Sequence, residues 1–561
     1  MAASWQRWIN PFLDASREMN VPARVAAGER LYRDVVYHYG PAGPWLEGAA
    51  VALFGRRLAV LEGAGLIAAV LLFSSLWRLT ARAGSPLSAC LATTWAAAIC
   101  LGAPNGGSFL FPYSFDALFA LSGAFLSVSL AAEPAGRARD ALCAAGVALA
   151  LAAKPEIGAA AAVVLLVAGL RAQDRKRETG RALRVVGLGA LAALLAWGIA
   201  LSGVPWAELS PEGPLALFSP PAPWRAVYRV ISGLADPGRS LASVATALFL
   251  DALILAAAAL LSRAAGRAPL APVAVWGAGA AAAVWFLLAG GAGIEDRIAP
   301  LLAPMPVAAA LAALAVARRP LDPDGRARFL LYGLSAAVGL RVVLGLAYGA
   351  RTTPYSILAV PGLAASAAVL VVDRLPRRLA APETFRRLLA LAFLALAILA
   401  VGRWRRLLAP QRAARLETPA GTLRLPPERS RVTEQALAFL AHNARPGDGL
   451  SGAPEAGFFN FVTGLRSPLR QEQIFPGHLD AAAEARAAER LETAGPRFFL
   501  LVNQPAPAFE SAAFGRGYAV RFWSVVERRY RLVAWFGQAP PEAPVGWPHF
   551  FIRVYERRPG S

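Results

Sequence analysis

The chain has 561 residues, 57% of them hydrophobic, with a mean hydropathy of +0.46. Apolar sequence in such long runs excludes a soluble globular enzyme and places the chain among polytopic membrane proteins. A formal net charge of +21 looks like that of a nucleic-acid binder, but no nucleic-acid partner is expected. The arginines sit mainly in short loops between apolar runs, where they set orientation in the bilayer, and in a tail that also carries many acids.

In chain order, residues 1–13 contain no apolar signal-peptide core. Residues 9–54 are the polar, aromatic and charged exception in an apolar N-terminal half. Two short amphipathic helices are predicted here. The first runs from Asp14 as N-cap to Gly28, with Val21, Val25 and Ala26 at helical spacing. The second runs from Pro44 to Gly55, with Trp45, Ala49, Ala52 and Leu53 on one stripe and the turn YHYGP before it. Both are too short and too charged to span a bilayer, so they are expected to lie in its interface.

Twelve apolar runs follow, near the ~20 residues that cross ~30 Å of hydrocarbon: 57–79, 85–103, 113–132, 138–153, 156–171, 183–204, 239–262, 270–290, 296–317, 328–348, 354–374 and 386–404. Lys and Arg alternate sharply between their connections. The loops at 78–84, 133–141, 171–184, 263–267, 318–328 and 373–387 hold 21, against 6 in the other five. The first set is cytoplasmic by the positive-inside rule, so residues 1–56 and the C-terminal region both face outward. Cys90, Cys100 and Cys143 lie inside apolar runs and read as small core residues. Beyond Trp404 no run is long enough to span; helical stretches at 431–445 and 479–494, strand-like FFLLV, RLVAWF and FFIRVYE predict a small α/β domain over 405–561.

The stretch PFLDASREMNVPARVAAGERLYRDVVYHYGP, followed by a short helix and a spanning helix, resembles the first extracytoplasmic loop of the GT-C glycosyltransferases. Within that superfamily it resembles family-39-like bacterial enzymes akin to protein O-mannosyltransferases and the aminoarabinose transferase of lipid A. The resemblance covers residues 9–405. It implies a polytopic α-helical membrane protein of the bacterial inner membrane with three parts: the outer loop 1–56, a GT-C-like transmembrane domain 57–404 and the extracytoplasmic α/β domain 405–561. It also implies an inverting transfer of a hexose or pentose from a polyprenyl-phosphate-linked donor to a glycan, lipid or protein acceptor. Relatives carry a spanning helix ahead of this loop, whereas MAASWQRWINPFL precedes Asp14 here; either the start codon is placed too late, which is the favoured expectation, or this member lacks that helix.

In that superfamily an early acid of this loop sits at the catalytic centre, and Asp14 falls at that place. A plain helix N-cap also explains an Asp there. Glu18 lies one turn on, and Arg33, Asp34, His38 and Tyr39 are candidate substrate contacts, with an interfacial aromatic belt as the competing explanation for the rings. Asp116, just inside an apolar run, is expensive at that depth and matches an Asp that relatives carry after the second outer loop. Lys154 is one of two lysines among 57 basic residues. Its ALAAKPEIG setting resembles the Lys-Pro that closes the corresponding helix in relatives, so it is the expected ligand of the donor phosphate, with Glu156 beside it.

Arg351 and Tyr355, in GARTTPYS, are further donor-phosphate candidates, and Glu295 with Asp296 is a candidate pair for Mg²⁺ or another divalent metal. No organic cofactor is expected. Arg341, deep in its run, is expected to pair with Asp251 or Glu62. PEAGFFNFVTGLRSP at 454–468 resembles a stretch that follows the membrane domain in similar proteins, which makes Glu455, Asn460 and Arg466 candidate acceptor contacts. A transporter or flippase of lipid-linked sugars is the alternative, but such folds show two matching halves and no repeat is visible here.

Overall fold

The computed structural model describes residues 5–102, 108–209, 212–217, 220–265, 302–347, 356–375, single positions between 383 and 402, 410–504 and 514–559. Two short helices, α1 (Ala15–Ala26) and α2 (Ala42–Phe54), pack against each other ahead of the first long one. Their ends follow from the sequence: α1 gives way to Gly28 at φ 91°, and α2 stops at Gly55 at φ 83°, conformations that only glycine adopts cheaply.

A helical bundle follows, built from α3 (Leu58–Ala83), α4 (Pro86–Gly102), α5 (Phe115–Ala131), α6 (Arg137–Ala153), α7 (Pro155–Leu170) and α8 (Arg175–Leu201). After α9 (Ala222–Ile231) come α10 (Pro237–Ala265), α11 (Met305–Ala317), α12 (Pro323–Gly339), α13 (Val343–Ala347) and α14 (Val360–Ala368). At 1.5 Å per residue the 26 residues of α3 reach ~39 Å, enough for the hydrocarbon core. Among the described residues four helical stretches are long and apolar enough to cross a membrane: Leu58–Ala83, Arg175–Leu201, Pro237–Ala257 and Pro323–Gly345. The chain is therefore a multi-pass membrane protein. Four more apolar helices, α4, α5, α7 and α11, are shorter. Of the twelve expected runs, 270–290 lies outside the described residues and 386–404 largely so. The run expected from 183 belongs to a helix that starts at Arg175, because the charged residues RKRETGR continue it two turns beyond the apolar stretch.

The centre of the bundle is α5, buried along nearly its whole length. Small residues let it approach its neighbour α6, as helices in apolar surroundings require. A Cβ on Gly123 would sit 2.5 Å from the Gly146 carbonyl oxygen, and the Ser127 hydroxyl donates to the carbonyl of Gly123 (2.8 Å) or Cys143 (3.1 Å). Cys100 and Cys143 are buried as expected of small core residues, whereas Cys90 is exposed on the outer face of α4.

The C-terminal part has a β1–β2 hairpin (Ala414–Thr418, Gly421–Leu425) and a four-stranded sheet of β3 (Leu450–Ala453), β4 (Phe498–Val502), β5 (Tyr530–Gly537) and β6 (Phe551–Arg557). The sheet order is β3-β4-β6-β5, with β3 and β4 parallel and the other pairs antiparallel. Central β4 carries FFLLV, a fully buried run without alternation, because both its faces are covered. Helices α15 (Pro427–Asn443), α16 (Gly457–Thr463), α17 (Ala481–Ala494) and α18 (Val520–Arg529) complete it. This part is joined to the N-terminal loop by buried polar contacts: Phe458 N–H donates to Ser16 Oγ (2.7 Å), Val36 N–H to the Arg470 carbonyl (2.9 Å), and Arg470 Nη2 to the Tyr32 carbonyl (2.6 Å).

Candidate active site

Asp14 occupies the N-cap position of α1 but does not cap it. Its φ of 55° and ψ of −44° lie where a side chain is strained, and its carboxylate makes no bond to the helix amides. Such strain is kept where surrounding structure holds it in place, and it is commonest at functional sites. Oδ1 instead accepts from Arg17 Nη1 (3.2 Å) and Gln473 Nε2 (3.3 Å), and the side chain stays one-third exposed. The backbone is held by Glu455, whose two carboxylate oxygens accept the Asp14 N–H (3.0 Å) and the Arg17 N–H (3.2 Å).

Arg17, one turn along α1 and fully enclosed, is the hub. Nε donates to Glu18 (2.9 Å), Nη1 to Gln473 Oε1 (2.8 Å), and Nη2 to the Tyr113 carbonyl (2.9 Å). Its Cζ lies 5.2 Å from the centre of the Tyr39 ring, and Lys154 Nζ lies 4.6 Å from the same centre. Tyr39 thus has a cation over it from each of two elements, the favoured place for a cation near an aromatic face. Lys154 Nζ also reaches the Tyr113 hydroxyl (3.4 Å) and Glu156 (3.8 Å), and Glu156 in turn pairs with Arg341 (3.5 Å).

Two adjoining cavities share His38, Tyr39, Tyr228 and Ile231. The smaller, about 280 Å³, is lined by Asp14, Arg17, Tyr113, Trp224, Gln473 and His478. The larger, about 840 Å³, has Lys154, Glu156 and Arg341 at one side and an apolar wall that includes Trp197, Leu201, Trp206 and Leu215. His38, His478 and Trp224 stand edge to face, with centroids 5.0 to 5.3 Å apart. Burial pushes His38 down to about 4, and burial with the neighbouring His38 pushes His478 well below its ordinary value. Both rings are neutral, with Nδ1 against the carbonyls of Gly213 (3.4 Å) and Gln473 (3.3 Å). Nδ1–H donates to these carbonyls, so Nε2 keeps its lone pair.

The chain aligns along most of its length with several solved structures at low sequence identity. It aligns with the apo structure of ArnT from Cupriavidus metallidurans at 11% identity and a TM-score of 0.48, over 98% of this chain and 95% of that one. The same protein bound to undecaprenyl phosphate aligns at 13% identity and a TM-score of 0.44, over 98% and 95%. An oligosaccharyltransferase from Archaeoglobus fulgidus, in complex with Zn and sulfate, aligns at 15% identity and a TM-score of 0.47, over 95% and 69%. No family model and no curated protein matches the chain.

Of the residues singled out in the sequence, Asp14, His38, Tyr39, Lys154 and Glu156 line the paired cavities. Asp116 does not: fully buried, it accepts from the Tyr37 hydroxyl (2.7 Å) and the Gly43 N–H (2.7 Å) behind the cavity wall. Glu18 is likewise enclosed, accepting from Arg17 and from the Phe115 N–H (2.9 Å). These contacts position the loop against α5. Arg33 and Asp34 pair with each other at 2.9 Å near the surface, away from both cavities. Arg341 meets neither expected partner. It sits half-exposed beside the larger cavity, paired with Glu156, while Glu62 accepts from the Gln6 N–H (2.9 Å). Arg351, Tyr355, Glu295 and Asp296 lie outside the described residues. Among the described residues no group of three or more His, Cys, Asp or Glu side chains is placed to hold a metal ion.

Sequence reasoning gave no site role to Arg17, Tyr113, Trp224, Gln473 or His478. Arg17 had a usable signal, an opposite charge three residues after Asp14 on a helix. Tyr113, Gln473 and His478 come from distant loops and Trp224 from α9, with no local pattern to mark them.

Proposed function

We propose that the protein is an inverting GT-C-type glycosyltransferase that moves a sugar from a polyprenyl-phosphate donor to an acceptor hydroxyl on the outer face of the membrane. One observation carries this reading. A carboxylate released from helix capping opens into a cavity that adjoins a second, apolar one with a lysine at its edge.

The apolar wall suits a prenyl chain, and Lys154 with Arg341 suits its phosphate, since fixed cations stabilise charge on a leaving oxyanion best in a water-poor site. Asp14 accepts the proton of the acceptor hydroxyl as its oxygen attacks the anomeric carbon. The bond from that carbon to the phosphate oxygen breaks, and the electron pair leaves on the phosphate. One displacement inverts the anomeric centre, and among the described residues no second carboxylate lines the smaller cavity to form a covalent sugar intermediate. His38, Trp224 and His478 offer ring faces and lone pairs to a sugar. Arg351 and Tyr355 are proposed as further phosphate contacts. A divalent metal at Glu295 and Asp296 is part of the proposal inherited from the sequence, and no step above runs through it.

The test is transfer of radiolabelled sugar from a polyprenyl-phosphate donor by the purified protein. Asp14→Asn, which keeps the shape and removes the base, should lower the rate by at least ~10²-fold. Unchanged transfer by that variant would remove Asp14 from the chemistry. Label that crosses the membrane without becoming attached to an acceptor would instead favour a flippase.

A further inference from the structure

A third cavity, of about 400 Å³, lies between α1, α2 and the loop after α16. It is separate from the two described above and shares no residue with them. One stripe of α1 serves both places. Asp14 and Arg17 face the proposed reaction centre, while Asn20 and Arg24, further along the helix, face this one; the ten residue steps from Asp14 to Arg24 span ~15 Å of axis.

The charges in this cavity do not balance. Arg24 is matched by Glu29 and Glu472, each at 2.6 Å. Arg56 and Arg466 also line it, and neither has an ion-pair or side-chain hydrogen-bond partner among the described residues. Set against the two carboxylates, the three arginines leave one positive charge over. The exposed Arg56 guanidinium occupies the space that a side chain on Gly464, a left-handed residue (φ 79°), would fill. The carbonyl ends of α2 and α16 face the same space, and their partial negative charge steadies the arginines without neutralising them.

Immediately beside this polar cavity, Leu53 and Phe54 at the end of α2 are 77% and 67% exposed. They precede Leu58, where the first spanning helix begins. Cations next to outward apolar side chains at the head of a spanning helix match the two halves of an amphiphile: a phosphate for the arginines and acyl chains along the apolar residues.

We propose that this cavity binds the phosphate headgroup of an anionic membrane lipid, with Arg56 and Arg466 as its ligands. A lipid seated there ties α1 and α2 to the spanning bundle. This holds whether or not the neighbouring cavities perform glycosyl transfer.

The experiment is native mass spectrometry of the full chain in detergent, titrated with phosphatidylglycerol or with phosphatidylcholine of the same acyl composition. The wild type should retain the anionic lipid preferentially. The double variant Arg56→Ala, Arg466→Ala should lose that preference by on the order of tenfold, and Arg56→Lys, Arg466→Lys should keep most of it, which separates lost charge from lost folding. Equal retention of the two lipids by wild type, or an undiminished preference in the double alanine variant, overturns the proposal. Inorganic phosphate is the remaining arm. If it raises the thermal stability of the wild type as much as phosphatidylglycerol does, the site takes free phosphate and the membrane source is wrong.

Discussion

At the scale of single residues, two choices of side chain carry the site. An Asp at an N-cap normally spends its carboxylate on the helix amides; here the strained backbone of Asp14 turns it away, and Arg17 and Gln473 hold it at the cavity instead. Lys154 is the other. Its ammonium fits between the Tyr39 and Tyr113 rings, 4.6 Å and 5.7 Å from their centres. An arginine offers a wider planar fork that this gap does not match. Lys154→Met is therefore expected to lower transfer by ~10²-fold through loss of phosphate stabilisation, and Lys154→Arg should restore only a small part. Initial rates at varied donor concentration check this, and full rescue by arginine would refute the argument from shape.

At the scale of elements, the strap between α1 and α2 places two of the residues that both cavities share, His38 and Tyr39. Tyr37 is tied to Asp116 on α5 (2.7 Å), and the Gly40 N–H donates to the Ala153 carbonyl at the end of α6 (3.0 Å). His38 and Tyr39 lie between these two anchors. A Cβ on Gly40 would collide with the backbone carbonyl oxygens of Ala152 and Ala153, which cannot swing aside. Gly40→Ala should therefore lift the strap, separate Tyr39 from Lys154 and reduce transfer at least as strongly as Tyr39→Ala. A thermal unfolding scan beside the rate measurement separates a displaced strap from a protein that has failed to fold. Buried Glu18 and Glu47 stand behind the same strap. Burial raises both carboxyls, and Glu47, with Glu18 and Asp116 as neighbours, is pushed up furthest.

At the scale of the whole molecule, the C-terminal part supplies a wall of the site. Glu455, which adjoins β3, reaches the backbone of Asp14, and Gln473 and His478 close the smaller cavity. Three N–H groups favour the ionised Glu455, yet burial, followed by the charge of Asp14, raises it to about 8. The folded protein then holds a proton there that the unfolded chain, with an ordinary value of 4.5, has released. The native state binds more protons between these limits. Stability should fall as pH rises from about 4.5 to about 8, at up to ~1.4 kcal/mol per pH unit for one proton, and level off above. Glu455→Gln keeps the shape and should flatten that slope, read as Tm against pH in detergent. A slope unchanged by the substitution would assign it to other groups.

The sequence by itself determined the membrane class and the two short N-terminal helices to within a turn, because apolar length and glycine stops are written along the chain. It also singled out Asp14, Tyr39 and Lys154, each unusual among its immediate neighbours. Only the tertiary structure decided which of the charged residues share a cavity. Asp116 and Asp14 are equally conspicuous as letters, but one is enclosed by Tyr37 and Gly43 while the other opens into space. Arg341 found Glu156, and His478 found His38, across hundreds of residues. Periodicity reports which face of an element is apolar; which elements bring their polar faces together depends on packing between segments far apart in the chain.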